Sequence, residues 1–176
     1  MSVDADGLRA LQDPGTGKLT PGVHQTSFGA LQDYAVTTPH RARIWHAFEI
    51  WRELAIERYE PVRFWFGGSF ITDRQPPGDL DVLAWTPVGR IENLRADGHR
   101  STFELQTLQH IDFKAVGDER LTQLDRLQPM GGLVDGFAVS ETLMYEKQWQ
   151  RGWGNDWEDT GELIPGTEKG IVEVIV

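Results

Sequence analysis

Two aspartates one residue apart, Asp79 and Asp81, have the type and spacing in this sequence that most directly suggest chemistry. They stand in FGGSFITDRQPPGDLDVLAW, which covers residues 66–85. In a β-strand, residues two apart share a face, so both carboxylates would project together while Leu80 and Val82 face the core. Two like charges held this close repel each other and are costly to bury. A divalent cation is the simplest partner, and hard oxygen ligands suit Mg²⁺ or Mn²⁺.

A glycine-rich turn precedes this pair along the chain. Gly67, Gly68 and Ser69 follow a short apolar run at 62–66. Glycine lets the backbone approach a ligand closely, and a helix that starts after Ser69 would offer free N–H groups to an anion. A phosphate cradle at one strand end, beside metal-binding carboxylates on the neighbouring strand, is the arrangement that a nucleoside triphosphate requires.

The middle motif resembles the signature of the polymerase-beta-like nucleotidyltransferase superfamily, in which a Gly-Ser turn and a spacer precede Asp-x-Asp on a strand. More narrowly, the chain resembles a group of small, minimal nucleotidyltransferase-like proteins. That resemblance also includes GKLTPGVHQTSFGALQD near the start, HIDFKAV after the aspartates and KGIVEVIV at the end. It spans nearly the full length, and its specific part is the middle motif.

The resemblance implies which residues do what. It assigns metal binding and catalysis to Asp79, Asp81 and a third carboxylate, for which Asp112 is the candidate because it is the only acid in HIDFKAV. It assigns triphosphate binding to the turn at 67–69. The implied reaction is Mg²⁺- or Mn²⁺-dependent transfer of a nucleoside monophosphate from an NTP to an acceptor hydroxyl on an RNA end, a protein or a small molecule. Compact proteins of this kind also resemble the toxin halves of toxin–antitoxin pairs, which implies an antitoxin-like protein partner.

Other interpretations stay open. Asp79 and Asp81 are also typical of turn and cap positions after a Pro-Pro-Gly sequence, and Asp112 could be a solvent-facing strand residue. A catalytically inactive nucleotidyltransferase fold that binds nucleotide or protein is the alternative function. A third hypothesis is a structural or assembly protein that makes its contacts through a Trp-rich loop. Three tryptophans spaced four apart could stack on bases, although packing is their ordinary role: Trp149, Trp153 and Trp157.

The order of predicted strands and helices that would position these residues predicts an α/β (α+β) fold over residues 1–176. It would contain a small mixed sheet of four or more strands with flanking helices. Apolar and β-branched runs predict strands at 62–66, 79–85, 110–116 and 170–176. Helical spacing predicts helices at 38–59, 118–128 and 140–149. A loop-rich lead-in at 1–22 and a long Trp- and Gly-rich loop at 150–169 complete the predicted chain.

The predicted helix at 38–59 is the best specified. Thr38 is a typical cap, Pro39 suits the first turn, and the residue before Pro61 is disfavoured in a helix. An apolar face recurs at helical spacing through Ile44, Phe48, Trp51, Ala55 and Tyr59. By default the arginines of this helix are solvent-exposed: Arg41, Arg43, Arg52 and Arg58.

Composition excludes several classes. A formal net charge of -10 argues against a surface that grips nucleic acid by bulk electrostatics. The absence of cysteine excludes disulfides, thiolate metal sites and a cysteine nucleophile. No apolar run approaches the roughly 18 residues of a membrane helix, and the acidic N-terminus has no signal-peptide core. We therefore expect a soluble, cytoplasmic protein that does not contact membranes.

Overall fold

The computed structural model describes residues 2–73, 76–98, 104–111, 124–156, 158 and 162–176. The helices are α1 (Ala5–Ala10), α2 (Phe28–Ala35), α3 (Pro39–Tyr59), α4 (Arg90–Ala96) and α5 (Leu143–Trp153). The strands are β1 (Gly22–Thr26), β2 (Arg63–Gly67), β3 (Leu80–Thr86), β4 (Leu108–Ile111), β5 (Leu124–Leu127), β6 (Val134–Ser140) and β7 (Gly170–Ile175). Single 3-10 turns lie at Ser69–Ile71 and Met130–Gly132.

Five strands form a mixed sheet in the order β1-β7-β2-β3-β6. The two edge strands pair in parallel, β1 with β7 and β6 with β3, whereas β2 pairs antiparallel with both of its neighbours. Strands β4 and β5 form a separate antiparallel hairpin. The predicted fold class, a mixed sheet with flanking helices, is confirmed.

Helix α3 begins and ends where its sequence predicts. The Thr38 side chain accepts a hydrogen bond from the Arg41 N–H, Pro39 occupies the first turn, and Glu60 ends the helix in a left-handed conformation. Its predicted apolar face is buried throughout. Neither α3 nor any other helix in the described part of the chain is long and apolar enough to cross a membrane.

The main sheet separates two cores because neighbouring residues of a strand face opposite sides. In β3, Leu80 and Val82 belong to the larger core, which contains α3, as predicted from their alternation with the aspartates. Leu83 and Trp85 belong to the second core, against which α5 packs through Trp149 and Trp153. Asp81 therefore lies on the same side of the sheet as α5, at the start of β3.

Several predicted segments differ from the structure. The lead-in at 1–22 contains α1, capped by the Asp4 carboxylate, and the next residues form β1 and α2, which were not predicted. Residues 124–127 of the predicted helix at 118–128 form β5 instead. The predicted strand at 110–116 starts at Leu108 and pairs with β5 outside the main sheet. Helix α5 extends four residues into the predicted loop at 150–169. Local patterns failed here because these segments are short and are stabilised by pairing and packing.

Arg41 was predicted to be solvent-exposed, and this was wrong. Its side chain is buried, and its guanidinium donates to the backbone carbonyls of Ala35, Phe70 and Thr72. These hydrogen bonds offset part of the cost of burying the charge, because the planar guanidinium can serve several acceptors at once. Arg41 thereby ties the turn after Ser69 to the junction between α2 and α3.

Candidate functional site

The glycine turn and Asp81 lie against each other. Gly67, the last residue of β2, is the register partner of Asp81 on β3. Gly68 has a φ of 65° and a ψ of -161°, a conformation that is essentially restricted to glycine. A Cβ at Gly68 would lie only 1.6 Å from the Asp81 Oδ2. The missing side chain therefore makes the space in which the Asp81 carboxylate sits.

A third carboxylate that sequence reasoning missed lies beside Asp81. Asp135 on β6 is the direct partner of Asp81 in the parallel pairing of β3 and β6, so the two side chains leave the same face of the sheet. Asp135 is buried, its Oδ2 pairs with the Arg126 guanidinium, and its Oδ1 is buried without a hydrogen-bond partner. The available signal was modest: Asp135 is the only acid in the alternating segment VDGFAVS.

The outcomes differ for the other predicted site residues, Asp79, Ser69 and Asp112. Asp79 lies immediately before β3, and its Oδ2 accepts a hydrogen bond from the Gln128 side chain. Ser69 directly follows Gly68 but begins a single 3-10 turn, so no regular helix offers its N-terminus to an anion here. Asp112 lies outside the described residues, and its role stays a prediction.

The Asp81 carboxyl is electrostatically perturbed. The pKa of its carboxyl is raised from an ordinary 3.8 to about 6. Burial is the main cause and the Asp79 charge adds to it, whereas Arg126 and Lys169 lower the pKa. The charged form of Asp81 thus lacks a fully compensating cation, a condition typical of functional carboxylates.

A pocket of about 730 Å³ opens above these carboxylates. Its base includes Gly68, Asp81 and Asp135, and its basic side chains are Arg126 and Lys169. The remaining lining combines amide and aromatic groups from β4, β6, α5 and the segment after α5: Gln109, Phe137, Gln148, Trp149, Gly152, Trp153 and Asn155. The pocket is large enough for a nucleotide and offers carboxylates, cations and aromatic rings to one ligand.

The aromatic wall comes from α5. Trp149 and Trp153 lie one helical turn apart with ring centroids 5.2 Å apart and nearly perpendicular planes. Trp149 also contacts Phe137 at 5.2 Å. A Cβ at Gly67 would lie 2.9 Å from the Trp153 ring, so this glycine lets the indole lie directly on β2. Both tryptophans pack, as the ordinary interpretation predicted, and both also face the pocket. Trp157 lies outside the described residues.

Comparison with known proteins places the chain in a family. A model of a family of unknown function, DUF6932, matches residues 12–175, nearly the whole chain. The chain belongs to that family. No curated protein and no solved structure matches it.

The carboxylate cluster of this DUF6932 member fits a divalent cation only in part as it stands. Within the described residues, no three acidic or histidine side chains are close enough together to hold a metal ion. Two contacts also occupy carboxylate oxygens of the cluster, because Arg126 pairs with one oxygen of Asp135 and Gln128 donates to one of Asp79. The Oδ1 of Asp135 is nevertheless buried and accepts no hydrogen bond from any described residue, so it is available as a metal ligand. It belongs to the strand neighbour of Asp81, whose carboxyl has a raised pKa. These donors suit Mg²⁺ or Mn²⁺.

Asp81→Asn is expected to stabilise the metal-free DUF6932 protein at pH 7.5. A carboxyl whose folded pKa is raised contributes stability that is complete below its unfolded pKa and is lost as pH rises through the folded value, here between about 4 and about 6. The amide carries no charge, so the variant should gain about 2 to 3 kcal/mol over the wild type at pH 7.5 and nothing near pH 4. Urea unfolding with EDTA across this pH range measures the difference.

The matched control is Asp97→Asn, at the exposed end of α4. It should change the free energy of unfolding little at any pH. A gain for Asp81→Asn that is equally large at pH 4 and pH 7.5 would contradict the electrostatic origin.

Proposed function

We propose that this protein is a metal-dependent nucleotidyltransferase that moves a nucleoside monophosphate from an NTP to an acceptor hydroxyl. The observation that carries the proposal is the juxtaposition of Asp81, Asp135 and the Gly68 backbone at the base of one pocket. In the reaction, the acceptor oxygen bonds to the α-phosphorus and the bond from that phosphorus to the β-phosphate oxygen breaks. The acceptor proton is lost, and pyrophosphate leaves.

The carboxylates would hold the cation. Asp81 and Asp135 project from neighbouring parallel strands, and Asp79 stands close enough to Asp81 to raise its pKa. When bound, Mg²⁺ or Mn²⁺ would neutralise phosphate charge and orient the triphosphate. The protein itself would contribute the fixed spacing of these oxygens, which the rigid sheet maintains.

The rest of the pocket suits the nucleotide. Gly68 presents backbone without a side chain where the phosphates would approach the carboxylates. Lys169 lines the pocket, its Nζ lies 2.8 Å from the Asp156 Oδ1, and its charge lowers the pKa of Asp81. Trp149 and Trp153 offer rings on which a base can stack.

The experiment that tests the proposal uses the full chain with each α-labelled NTP, Mg²⁺ or Mn²⁺, and a cell extract that supplies the acceptor. Label should move to one class of molecule with release of pyrophosphate, and nuclease or protease treatment of the product should show whether that class is RNA or protein. EDTA should abolish transfer. If no NTP yields labelled product or metal-dependent pyrophosphate, the proposal is wrong.

Trp149→Ala is expected to weaken nucleotide binding about tenfold, since a base that stacks on an aromatic ring gains roughly 1 to 3 kcal/mol. Isothermal titration with the NTP that serves as substrate measures this. Trp149→Phe is the matched control, because it keeps a ring against Phe137 and should retain most of the affinity. Unchanged affinity in both variants would indicate that the indole only packs.

One observation favours the alternative, a catalytically inactive nucleotide-binding module. Arg126 and Gln128 already engage two of the carboxylates that catalysis needs. The two functions differ in one measurement: both bind nucleotide, but only the enzyme releases pyrophosphate. Quantifying binding and release on one preparation separates them.

A further inference from the structure

Arg126 occupies the place where a cation is needed. It lies on β5, its guanidinium pairs with the Asp135 Oδ2, and it also lowers the pKa of Asp81. The Asp135 side chain is only 2% exposed, whereas that of Arg126 is 42% exposed. The carboxylate is therefore fixed and buried, and its arginine partner reaches it from the open side of the pocket.

The β4–β5 hairpin brings Arg126 to this position. Its strands pair with each other and not with the main sheet in the part of the chain that the structure describes. The residue before β4, Thr107, anchors the hairpin next to Asp135, since it donates to the Gly136 carbonyl at 2.7 Å and its hydroxyl accepts from the Gly136 N–H at 3.1 Å. A two-stranded hairpin has little stability of its own. The Thr107 hydrogen bonds thus hold the start of the β4–β5 hairpin beside Asp135.

Two side chains, one on β5 and one directly after it, each contact a carboxylate. Arg126 pairs with Asp135, and Gln128, two residues later, donates to Asp79. A metal ion that uses both oxygens of Asp135, or the Asp79 Oδ2, competes with these side chains, whereas the Asp135 Oδ1 is open to it. The guanidinium would also repel a divalent cation held at the same oxygens. A divalent cation on Asp135 therefore weakens the pairing of Arg126 with this carboxylate and favours its release.

We propose that Arg126 exchanges partners during nucleotide binding: it neutralises Asp135 in the metal-free protein and binds the polyphosphate of the nucleotide once a divalent cation holds the carboxylates. This inference rests on the proposed function. Arginine suits both partners, because its planar fork of donors matches a carboxylate and a phosphate equally well. Arg126 lines the same pocket as Gly68 and Lys169, so the new partner lies within the pocket that already contains its side chain.

The exchange has opposite consequences for two ligands. Arg126 competes with the metal, so its removal should tighten the binding of metal alone. Arg126 supports the polyphosphate, so its removal should weaken that ligand once metal is saturating. A role confined to holding the fold would not move the two affinities in opposite directions.

The test measures both affinities on the full chain by isothermal titration, with Mn²⁺ alone and then with inorganic tripolyphosphate at saturating Mn²⁺. Arg126→Met should bind Mn²⁺ about tenfold more tightly than the wild type and tripolyphosphate about tenfold more weakly, as the loss of a charged hydrogen bond predicts. The partial exposure of Arg126 leaves the fold little affected, which circular dichroism verifies.

Arg151→Met is the charge-matched control, since Arg151 lies on the exposed side of α5 in a neighbouring pocket with no part in the carboxylate cluster. It should change both affinities less than twofold, within the range of about 0.5 kcal/mol for surface substitutions. If Arg126→Met shifts both affinities in the same direction, or shifts neither, the exchange is overturned while the metal site stands. If wild type and Asp135→Asn bind Mn²⁺ equally, the metal site itself is wrong, and the exchange fails with it.

Discussion

Asp135→Asn is expected to lower pyrophosphate release by a factor on the order of 10³, because removing one preorganised charge at the reacting phosphate commonly costs this much. The substitution replaces one carboxylate oxygen of a buried side chain with an amide nitrogen and nearly keeps its volume. The variant should therefore fold, although the amide meets the Arg126 guanidinium less favourably than the carboxylate does. Metal-dependent release assayed beside circular dichroism measures activity and folding on one preparation.

A panel of single variants identifies the carboxylates that matter. Asp79→Asn and Asp81→Asn should lose activity like Asp135→Asn, and Asp97→Asn on the exposed end of α4 should keep it. Asp112→Asn belongs in the same panel. If Asp112→Asn is inactive and Asp135→Asn is fully active, then Asp112 supplies the third carboxylate, and the pairing of β3 with β6 does not define the site.

Gly68→Ala is expected to destabilise the protein by about 3 kcal/mol or more and to abolish activity. The glycine-only backbone conformation alone costs about 1 to 3 kcal/mol for an alanine. In addition, the new methyl group would overlap the Asp81 carboxylate, which lies 1.6 Å from the Cβ position. Urea unfolding measures the loss of free energy. Either the turn or the carboxylate must move, so the distance between phosphate cradle and metal ligands changes in any relaxed structure.

The control for this substitution is Gly78→Ala. A Cβ at Gly78 meets no atom of the described residues within 4 Å, and we expect a change within about 0.5 kcal/mol. A double variant that combines Gly68→Ala with Asp81→Ala separates the two causes, because it removes the overlap and keeps the backbone strain. We expect it to recover part of the lost stability relative to the sum of the single variants. Full additivity would show that the Asp81 carboxylate is not in contact with this turn.

Local chemistry specifies part of this protein in the sequence alone. Helix α3 is predicted from its Thr38 cap, Pro39 and one apolar face, because capping and helical periodicity act within a few residues. Strands β2 and β3 are predicted from apolar runs bounded by proline and glycine. The association of Gly68 with Asp81 is also predicted, because a short spacer connects neighbouring strands and leaves their ends close together.

Other elements escaped prediction because their stability comes from distant partners. Strand β6 contains a glycine and an aspartate, which disfavour strands, and it is formed by pairing with β3. The segment at 124–127 has leucines that suit a helix, yet it pairs with β4. Arg41 has the sequence context of a surface residue and is buried because backbone carbonyls from two other segments converge on it.

The sequence by itself predicted that Asp81 would lie on a strand beside a glycine turn, since the two-residue period of a strand and the short spacer are properties of consecutive residues. Asp79, which was predicted to share that strand face, lies immediately before β3. Only the tertiary structure decided that Asp135 is the carboxylate next to Asp81, that Arg126 neutralises it and that tryptophans of α5 wall the pocket. Those placements depend on strand pairing and hairpin packing between segments far apart in the chain. Such contacts form only when the whole core does, and no local pattern encodes which of several acids or arginines will meet.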